Sequence, residues 1–171
     1  MIRFERHWAM PNKETFRIPP IKQLLEEEIT PGVWLDPFCG GTKLVLITND
    51  INPQLEADFH TDALLFLRLF PGDSVDGCLF DPPYSVRQLS ECYHNMGIAV
   101  TQETTRPNFW TNIKEEIARV IKPGGKCISF GWNSGGIGKK FRFELIRILL
   151  VPHGGIHNDT IITVEIKLCT K

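Results

Sequence analysis

The run Val33-Trp34-Leu35-Asp36-Pro37-Phe38-Cys39-Gly40-Gly41-Thr42 decides the fold class. Three apolar residues make a short strand, an acid ends it, and a proline followed by two glycines turns the chain. Before it, Ile21, Leu24, Leu25 and Ile29 recur at helical spacing, and Pro20 can open the segment. That spacing predicts a helix to about Glu28, stopped by Thr30-Pro31-Gly32.

The same alternation continues outward. Leu44-Val45-Leu46-Ile47-Thr48 is β-branched and apolar on both faces, which predicts a strand buried between helical layers and ending at Asn49-Asp50. A third short strand is predicted over 57–60, then a helix with Leu64, Leu65, Leu67 and Phe70 on its apolar stripe. Pro71-Gly72-Asp73 turns into a strand over Val75–Phe80, which runs into Asp81-Pro82-Pro83-Tyr84. Residues 85–108 have weak periodicity and many polar groups; a loop of that length in a compact domain is usually functional or mobile. A helix over 109–121 carries Ile113, Ile117 and Val120 on one side, and Lys122-Pro123-Gly124-Gly125 stops it before a strand over 127–130. Residues 141–151 and 160–168 pair as antiparallel strands, the first with some helical character. Residues 1–20 are mixed, with Pro11, Pro19 and Pro20 blocking a long helix. The expectation is an α/β fold, a mostly parallel sheet with a C-terminal antiparallel hairpin.

Composition bounds the function. The 171 residues suit a single domain over 1–171, and 42% hydrophobic content is enough for a real core. Nineteen basic against twenty acidic side chains leave a net charge of −1, which excludes a protein that coats nucleic acid by charge alone. The longest apolar stretch, 145–151, holds Arg147, so no membrane span is predicted. The opening residues have no apolar signal core, and the expected location is cytoplasmic. The five cysteines form no C-x-x-C pair and none has a histidine at ligand spacing, so no metal site is predicted. Cys78 and Cys127, inside apolar runs, read as buried reduced thiols.

Four predicted strands end in or just before an acid: Asp36, Asp50, Asp62 and Asp81. In open α/β sheets ligands bind beyond the carboxyl ends of the strands, where such acids can hold a ribose, an amine or an adenine edge. Singly, each could equally cap a helix or turn. At Asp81-Pro82-Pro83-Tyr84 two prolines fix the backbone and remove donors, so carbonyl oxygens can face a ligand. A carboxylate beside such a carbonyl offers two acceptors for one amino group, and an aromatic ring next to it can stack on a planar base.

These residues carry a resemblance. Asp81-Pro82-Pro83-Tyr84 resembles the catalytic tetrapeptide of the amino-methylating DNA methyltransferases, which modify adenine N6 or cytosine N4. Asp36-Pro37-Phe38-Cys39-Gly40-Gly41-Thr42 resembles the S-adenosylmethionine-binding motif of the same family, and the order of the two motifs is that of its unpermuted members. The resemblance implies a Rossmann-like methyltransferase fold, S-adenosylmethionine as cofactor, and DNA as partner. It implies that Asp36, Phe38, Cys39, Gly40, Gly41 and Thr42 cradle the cofactor, that Asp50 accepts from its ribose, and that Asp62 sits near its adenine. Met10, Pro11 and Asn12 resemble the family's N-terminal cofactor contact. Asp81 and the Pro82 carbonyl would hold the target amine, Pro83 would keep them rigid, and Tyr84 would stack on the base; Asp at the head of the tetrapeptide is the form more usual for adenine.

The chain departs from the family's usual pattern, which has a further residue between the glycines and a full helix between the first two strands. Only four residues separate Cys39 from Leu44, whereas a parallel crossover takes about 10–12 residues with its helix. Either the helix is missing and the link is extended, or residues 43–47 form a helical turn instead of a strand.

No separate target-recognition domain is present in this reading. The candidate reader is the 85–112 segment, in which Arg87, Tyr93, His94, Arg106 and Trp110 suit contacts to phosphates and bases, against an ordinary polar surface loop. The stretch 131–140 lacks the first glycine and the Ser/Thr of a P-loop; it reads as a strand connection from which Trp132 or Asn133 could touch substrate. His153 and His157 read as turn histidines, and Lys139, Lys140, Arg142 and Arg147 as either a DNA-facing patch or a solvated face. A homodimer would suit so small a chain. The function expected is adenine-N6 methylation of DNA; RNA, cytosine N4 and a non-catalytic binding module are the alternatives.

Overall fold

The structure, a computed structural model, describes residues 1–83 and 108–169. In chain order the elements are β1 (Arg3–Arg6), a 3-10 turn (Thr15–Arg17), α1 (Pro19–Glu28), β2 (Trp34–Asp36), β3 (Ile47–Thr48), α2 (Ala63–Arg68), β4 (Val75–Phe80), α3 (Asn108–Val120), β5 (Ile121–Gly131), a 3-10 turn (Lys139–Phe141), β6 (Phe143–Val151) and β7 (Thr160–Lys167). The strands form one sheet in the order β1-β6-β7-β5-β4-β2-β3. β7 runs against both β5 and β6, and the other described pairs are parallel. The carboxyl ends of β2, β3, β4 and β5 therefore meet along one edge. The order reverses at β2, which lies between β3 and β4, and that switch point is where an open sheet leaves a crevice.

Alternating side chains divide the core between the two faces of the sheet. Trp34, Leu79, Ile128 and Val164 pack with Ile21, Leu24 and Leu25 of α1 on one side. Leu35, Cys78 and Cys127 pack with Phe66 of α2 and Ile113 and Ile117 of α3 on the other. α1 starts at Pro19-Pro20 because a proline in the first helical turn gives up an N–H that has no partner there. Cys78 and Cys127 face each other across β4 and β5 and are fully buried, as their apolar flanks predict.

Several elements differ from their sequence pattern. β3 holds two residues instead of five, and Leu44 and Leu46 are exposed at 42% and 69%. Because β2 is three residues long, the return path between the paired positions Asp36 and Thr48 spans only about 10 Å at ~3.3 Å per residue. Residues 37–46 cover that distance as irregular chain, so the extended-link alternative holds and no helix intervenes. The strand predicted over 57–60 is reduced to a single parallel bridge between Asn49 and Phe59. In α2 the buried residues are Ala63, Phe66 and Leu67, while Leu65 faces solvent. β5 begins directly after α3, and the Pro-Gly-Gly excursion is absorbed as a register shift between Ile121 and Lys126. β1 has no apolar alternation to betray it; it is an edge strand beside β6 whose single apolar side chain, Phe4, is exposed.

Arg147 is corrected outright. It is buried, not DNA-facing, because three carboxylates surround it. Its Nε donates to Glu5 at 2.6 Å, and one terminal nitrogen donates to Glu27 at 2.7 Å and Glu28 at 2.9 Å. The bond from Arg147 holds the Glu5 carboxyl below its ordinary range. The cluster stitches β1 and α1 to β6. His153 is also buried; its Nδ1 lies 2.9 Å from the Ala9 carbonyl and its Nε2 lies 2.8 Å from the Thr160 hydroxyl, which closes the N-terminal segment onto the β6–β7 connection.

Candidate active site

Asp36 ends β2 with no solvent exposure. One carboxylate oxygen, Oδ1, accepts the Phe38 N–H at 3.1 Å, while Oδ2 is buried with no partner among the described residues. Burial pushes this carboxyl well above its usual range, and the nearby charges of Asp81 and Asp50 push the same way. Three of the four predicted strand-end acids thus converge on the switch point.

Asp50 is held by backbone donors. Its Oδ2 accepts the Gly40 N–H at 3.0 Å and its Oδ1 accepts the Asn52 N–H at 2.8 Å. Gly40 and Gly41 have φ of 57° and 80°, left-handed values that a side chain would strain, and this lets the chain reverse immediately beyond Cys39. Cys39 is buried, its thiol directed at the Glu56 carbonyl, and burial raises its pKa; Thr42 closes the turn by donating its N–H to the Cys39 carbonyl at 2.9 Å. Asp62 caps α2, accepting the Leu64 and Leu65 N–H groups at 2.9 and 3.3 Å.

Sequence reasoning passed over Asn49. It is buried beside Asp36, donates to the Pro37 and Thr61 carbonyls at 3.1 and 3.0 Å, and accepts the Thr61 N–H at 3.1 Å. It locks the glycine turn to the segment leading into α2. Asp58 was missed as well: it accepts from Lys43 Nζ at 2.6 Å and from the Thr48 N–H and hydroxyl at 2.9 and 2.8 Å. The Lys43 bond, with those from Thr48, lowers its pKa to about 2. Asn49 is not an acid and Asp58 fell inside a predicted strand, so neither gave the signal, an acid at a strand end, that picked out the others.

Beside the acids lies a cleft of about 260 Å³ between β4, β5 and α3. Pro82 and Pro83 form one side, Trp110 and Lys114 of α3 another, and Ser129, Trp132, Asn133 and Gly136 the rest. Phe38, from the glycine turn, joins the two halves, with ring centroids 6.1 Å from Phe80 and 6.4 Å from Trp110. Asp81 is half-buried at the cleft edge, one residue past β4. Tyr84, Arg87, Tyr93 and His94 lie outside the described residues. Met10 is exposed and Pro11 half-buried, and Asn12 accepts the Glu14 N–H; the preceding residue, Ala9, is tied to Pro152 and His153 at the β6–β7 end of the sheet.

No protein family matches the chain by sequence, and no curated protein does. Solved structures do. TrmN from Thermus thermophilus superposes with a TM-score of 0.58 at 18% identity over 88% of this chain, which spans 49% of the TrmN chain, about half its length. A SAM-dependent methyltransferase from Methanosarcina mazei gives 0.59 at 13% identity over 86% of this chain and 98% of its own. The 1,6-didemethyltoxoflavin-N1-methyltransferase of Burkholderia thailandensis, solved with 1,6-didemethyltoxoflavin and S-adenosylhomocysteine, gives 0.58 at 12% identity over 92% of this chain and 80% of its own. With the switch point at β2 and the reversed β7, the chain has the fold of the SAM-dependent methyltransferases.

Proposed function

We propose that this chain is an S-adenosylmethionine-dependent methyltransferase acting on the exocyclic amine of a nucleic-acid base, adenine N6 of DNA in the first instance. The observation that carries the reading is the pairing of a buried Asp36 oxygen, unpartnered among the described residues, with Asp81-Pro82-Pro83 beside a cleft of about 260 Å³ walled by Trp110 and Trp132. The donor set fits the cofactor. Asp36 offers an acceptor to a cationic amino group, the Gly40-Gly41 turn gives close backbone approach, and the carboxylate of Asp50 keeps lone pairs for hydroxyl donors. A structural neighbour with bound S-adenosylhomocysteine supports the same assignment.

When bound, S-adenosylmethionine supplies a methyl group already activated on a positively charged sulfur. The chain's own task is to prepare the nucleophile. An aromatic amine is a poor one because its lone pair is delocalised into the ring. The Asp81 carboxylate and the Pro82 carbonyl accept its two N–H bonds, which draws the nitrogen toward tetrahedral geometry and frees the lone pair. Pro82 and Pro83 carry no N–H to compete for those acceptors. Trp110 and Trp132 give the base apolar walls. An adenine inside a duplex must be flipped out or supplied single-stranded.

A binding module that has lost the cofactor is the second reading. It is favoured by the helix-free link between β2 and β3 and by the engagement of both Asp50 oxygens with backbone N–H groups. One experiment separates the two: labelled methyl transfer to single- and double-stranded DNA and to RNA, with nucleoside mass spectrometry and parallel calorimetry with S-adenosylhomocysteine. The expected product is N6-methyladenine in DNA. Product in RNA or at cytosine N4 would move the substrate within the class, and no heat with the folded protein would leave the binding module.

A further inference from the structure

Glu165 sits in the middle of β7, opposite Cys127 of β5 and Leu145 of β6, and is only 3% exposed. A carboxylate inside a sheet is costly unless fully bonded. Here both oxygens leave the sheet and grip the loop after β5: Oε2 accepts the Ile137 N–H at 2.6 Å and Oε1 accepts the Gly138 N–H at 2.9 Å. Gly136 has φ of 50°, and a side-chain carbon there would lie 2.2 Å from Oε2, so the loop can seat itself on the carboxylate only because residue 136 is glycine. From α3, Lys114 Nζ donates to the Gly136 carbonyl. Ile137 plugs the core beneath, and the Asn133 side chain accepts the Gly135 N–H at 2.8 Å. The glycine-rich stretch is therefore pinned from three sides. Its first half, Gly131, Trp132 and Asn133, is a wall of the cleft.

We infer that Glu165 and Lys114 are positioning residues that clamp the 131–138 loop as a fixed wall of the substrate cleft, so that Trp132 and Asn133 meet a planar base in one preset arrangement. The inference rests on the methyltransferase reading above and goes beyond it, because it assigns substrate positioning to residues that would not touch the reacting atoms. A preset wall saves the entropy of ordering a glycine-rich loop when the base arrives, and that saving is felt in substrate affinity. Cofactor binding, at the β2 end of the crevice, does not draw on it.

The test uses the full chain and the variants Glu165→Ala, Glu165→Gln and Lys114→Met. Glutamine keeps the shape and one acceptor, and so guards against loss of the fold in the alanine variant. Amide hydrogen exchange at Ile137 and Gly138 is expected to accelerate at least about tenfold in Glu165→Ala, less in Glu165→Gln, with Thr163 and Val164 of β7 still protected. Affinity for a fluorescent single-stranded oligodeoxynucleotide with one adenine should fall about tenfold and KM should rise alike, with kcat and S-adenosylhomocysteine affinity within about twofold of wild type. Lys114→Met should move the same quantities in the same direction. Unchanged exchange at Ile137 and Gly138 overturns the clamp. Fast exchange with unchanged oligonucleotide affinity overturns the positioning role. A wild-type chain that neither binds oligonucleotide nor transfers methyl overturns the nucleic-acid reading and the positioning role for a base, while the exchange measurement still decides the clamp.

Discussion

The carboxylate of Asp50 accepts the backbone N–H of Gly40 across 3.0 Å, tying the end of β3 to the glycine turn after β2. A helix would ordinarily separate these two strands and its first turn would fix the glycine turn. With ten irregular residues in its place, the brace comes from below, from Asp50 and from the Asn49 bonds to Pro37 and Thr61. Replacing Asp50 by alanine removes two charge-assisted bonds worth about 1.5–3 kcal/mol each. The expected result is at least a tenfold loss of S-adenosylhomocysteine affinity by calorimetry, with Asp50→Asn, which retains one acceptor, in between. Wild-type affinity in Asp50→Ala would show that the turn holds without the brace.

Asp81 stands one residue past β4 and is followed by two prolines, which carry no N–H. Substituting alanine deletes one of the two acceptors proposed for the target amine. Methyl transfer should fall by about 10²–10³-fold, the range for a lost hydrogen-bond partner of the transition state. S-adenosylhomocysteine affinity and thermal midpoint should stay near wild type. Activity that survives the substitution would remove the amine-activation mechanism.

The Arg147 cluster is expected to matter for stability alone. Arg147→Met leaves Glu5, Glu27 and Glu28 crowded together without their cation, and breaking a buried pair from one side costs on the order of 3 kcal/mol. Urea denaturation should register the loss, and cofactor affinity, at the other half of the sheet, should not move.

Much of the fold was legible because its signals are local. The apolar runs Trp34–Asp36 and Val75–Phe80, the Pro20 helix start and the stripe Ile113, Ile117 and Val120 each depend on neighbours within a few residues, and the structure keeps them. What escaped depends on distant chain. Leu44-Val45-Leu46 has strand composition, yet of the three Val45 alone packs against the core, and Leu44 and Leu46 end in solvent. Arg147 looks like a surface cation until Glu5 and α1 are brought beside it from more than a hundred residues away. Asp36, Asp50 and Asp81 could be proposed from their strand ends, and the structure brings them near one another, while Asp62 caps a helix. Glu165 and Asn49 could not be found that way, since each acts on backbone far from it in sequence.

The Lys43–Asp58–Thr48 group gives an acid-side prediction. Folding lowers the Asp58 pKa from 3.8 to about 2, with the Lys43 bond the largest cause. A group whose native pKa is depressed contributes stability above its unfolded value and loses it as the pH falls through the native one. Wild type should therefore lose stability between pH 3.8 and about 2 in a way that Asp58→Asn does not, as read by thermal melts across that range. Coincident slopes for the two proteins would mean that the group does not hold β3.

Asp36 predicts the opposite sign and couples stability to ligand binding. Burial raises its pKa above 3.8, so the native state binds this proton more tightly than the unfolded chain does. The contribution is fully present below pH 3.8 and is lost as the pH rises through the native pKa, where ionisation leaves a charged oxygen buried and unpartnered. Asp36→Asn cannot ionise, and it should be the more stable protein at neutral pH because no charge is then buried there. The same substitution should weaken the site. In the proposed site the ionised carboxylate would hold the cationic amino group, so wild-type affinity for S-adenosylhomocysteine should climb with pH through the native pKa and then level off. Calorimetry in buffers of different ionisation enthalpy should show a proton released on binding in the lower part of that range. In Asp36→Asn both the pH dependence and the proton release should vanish. A variant that binds as wild type does, with the same proton release, would take Asp36 out of the cofactor site and leave its buried charge without a use.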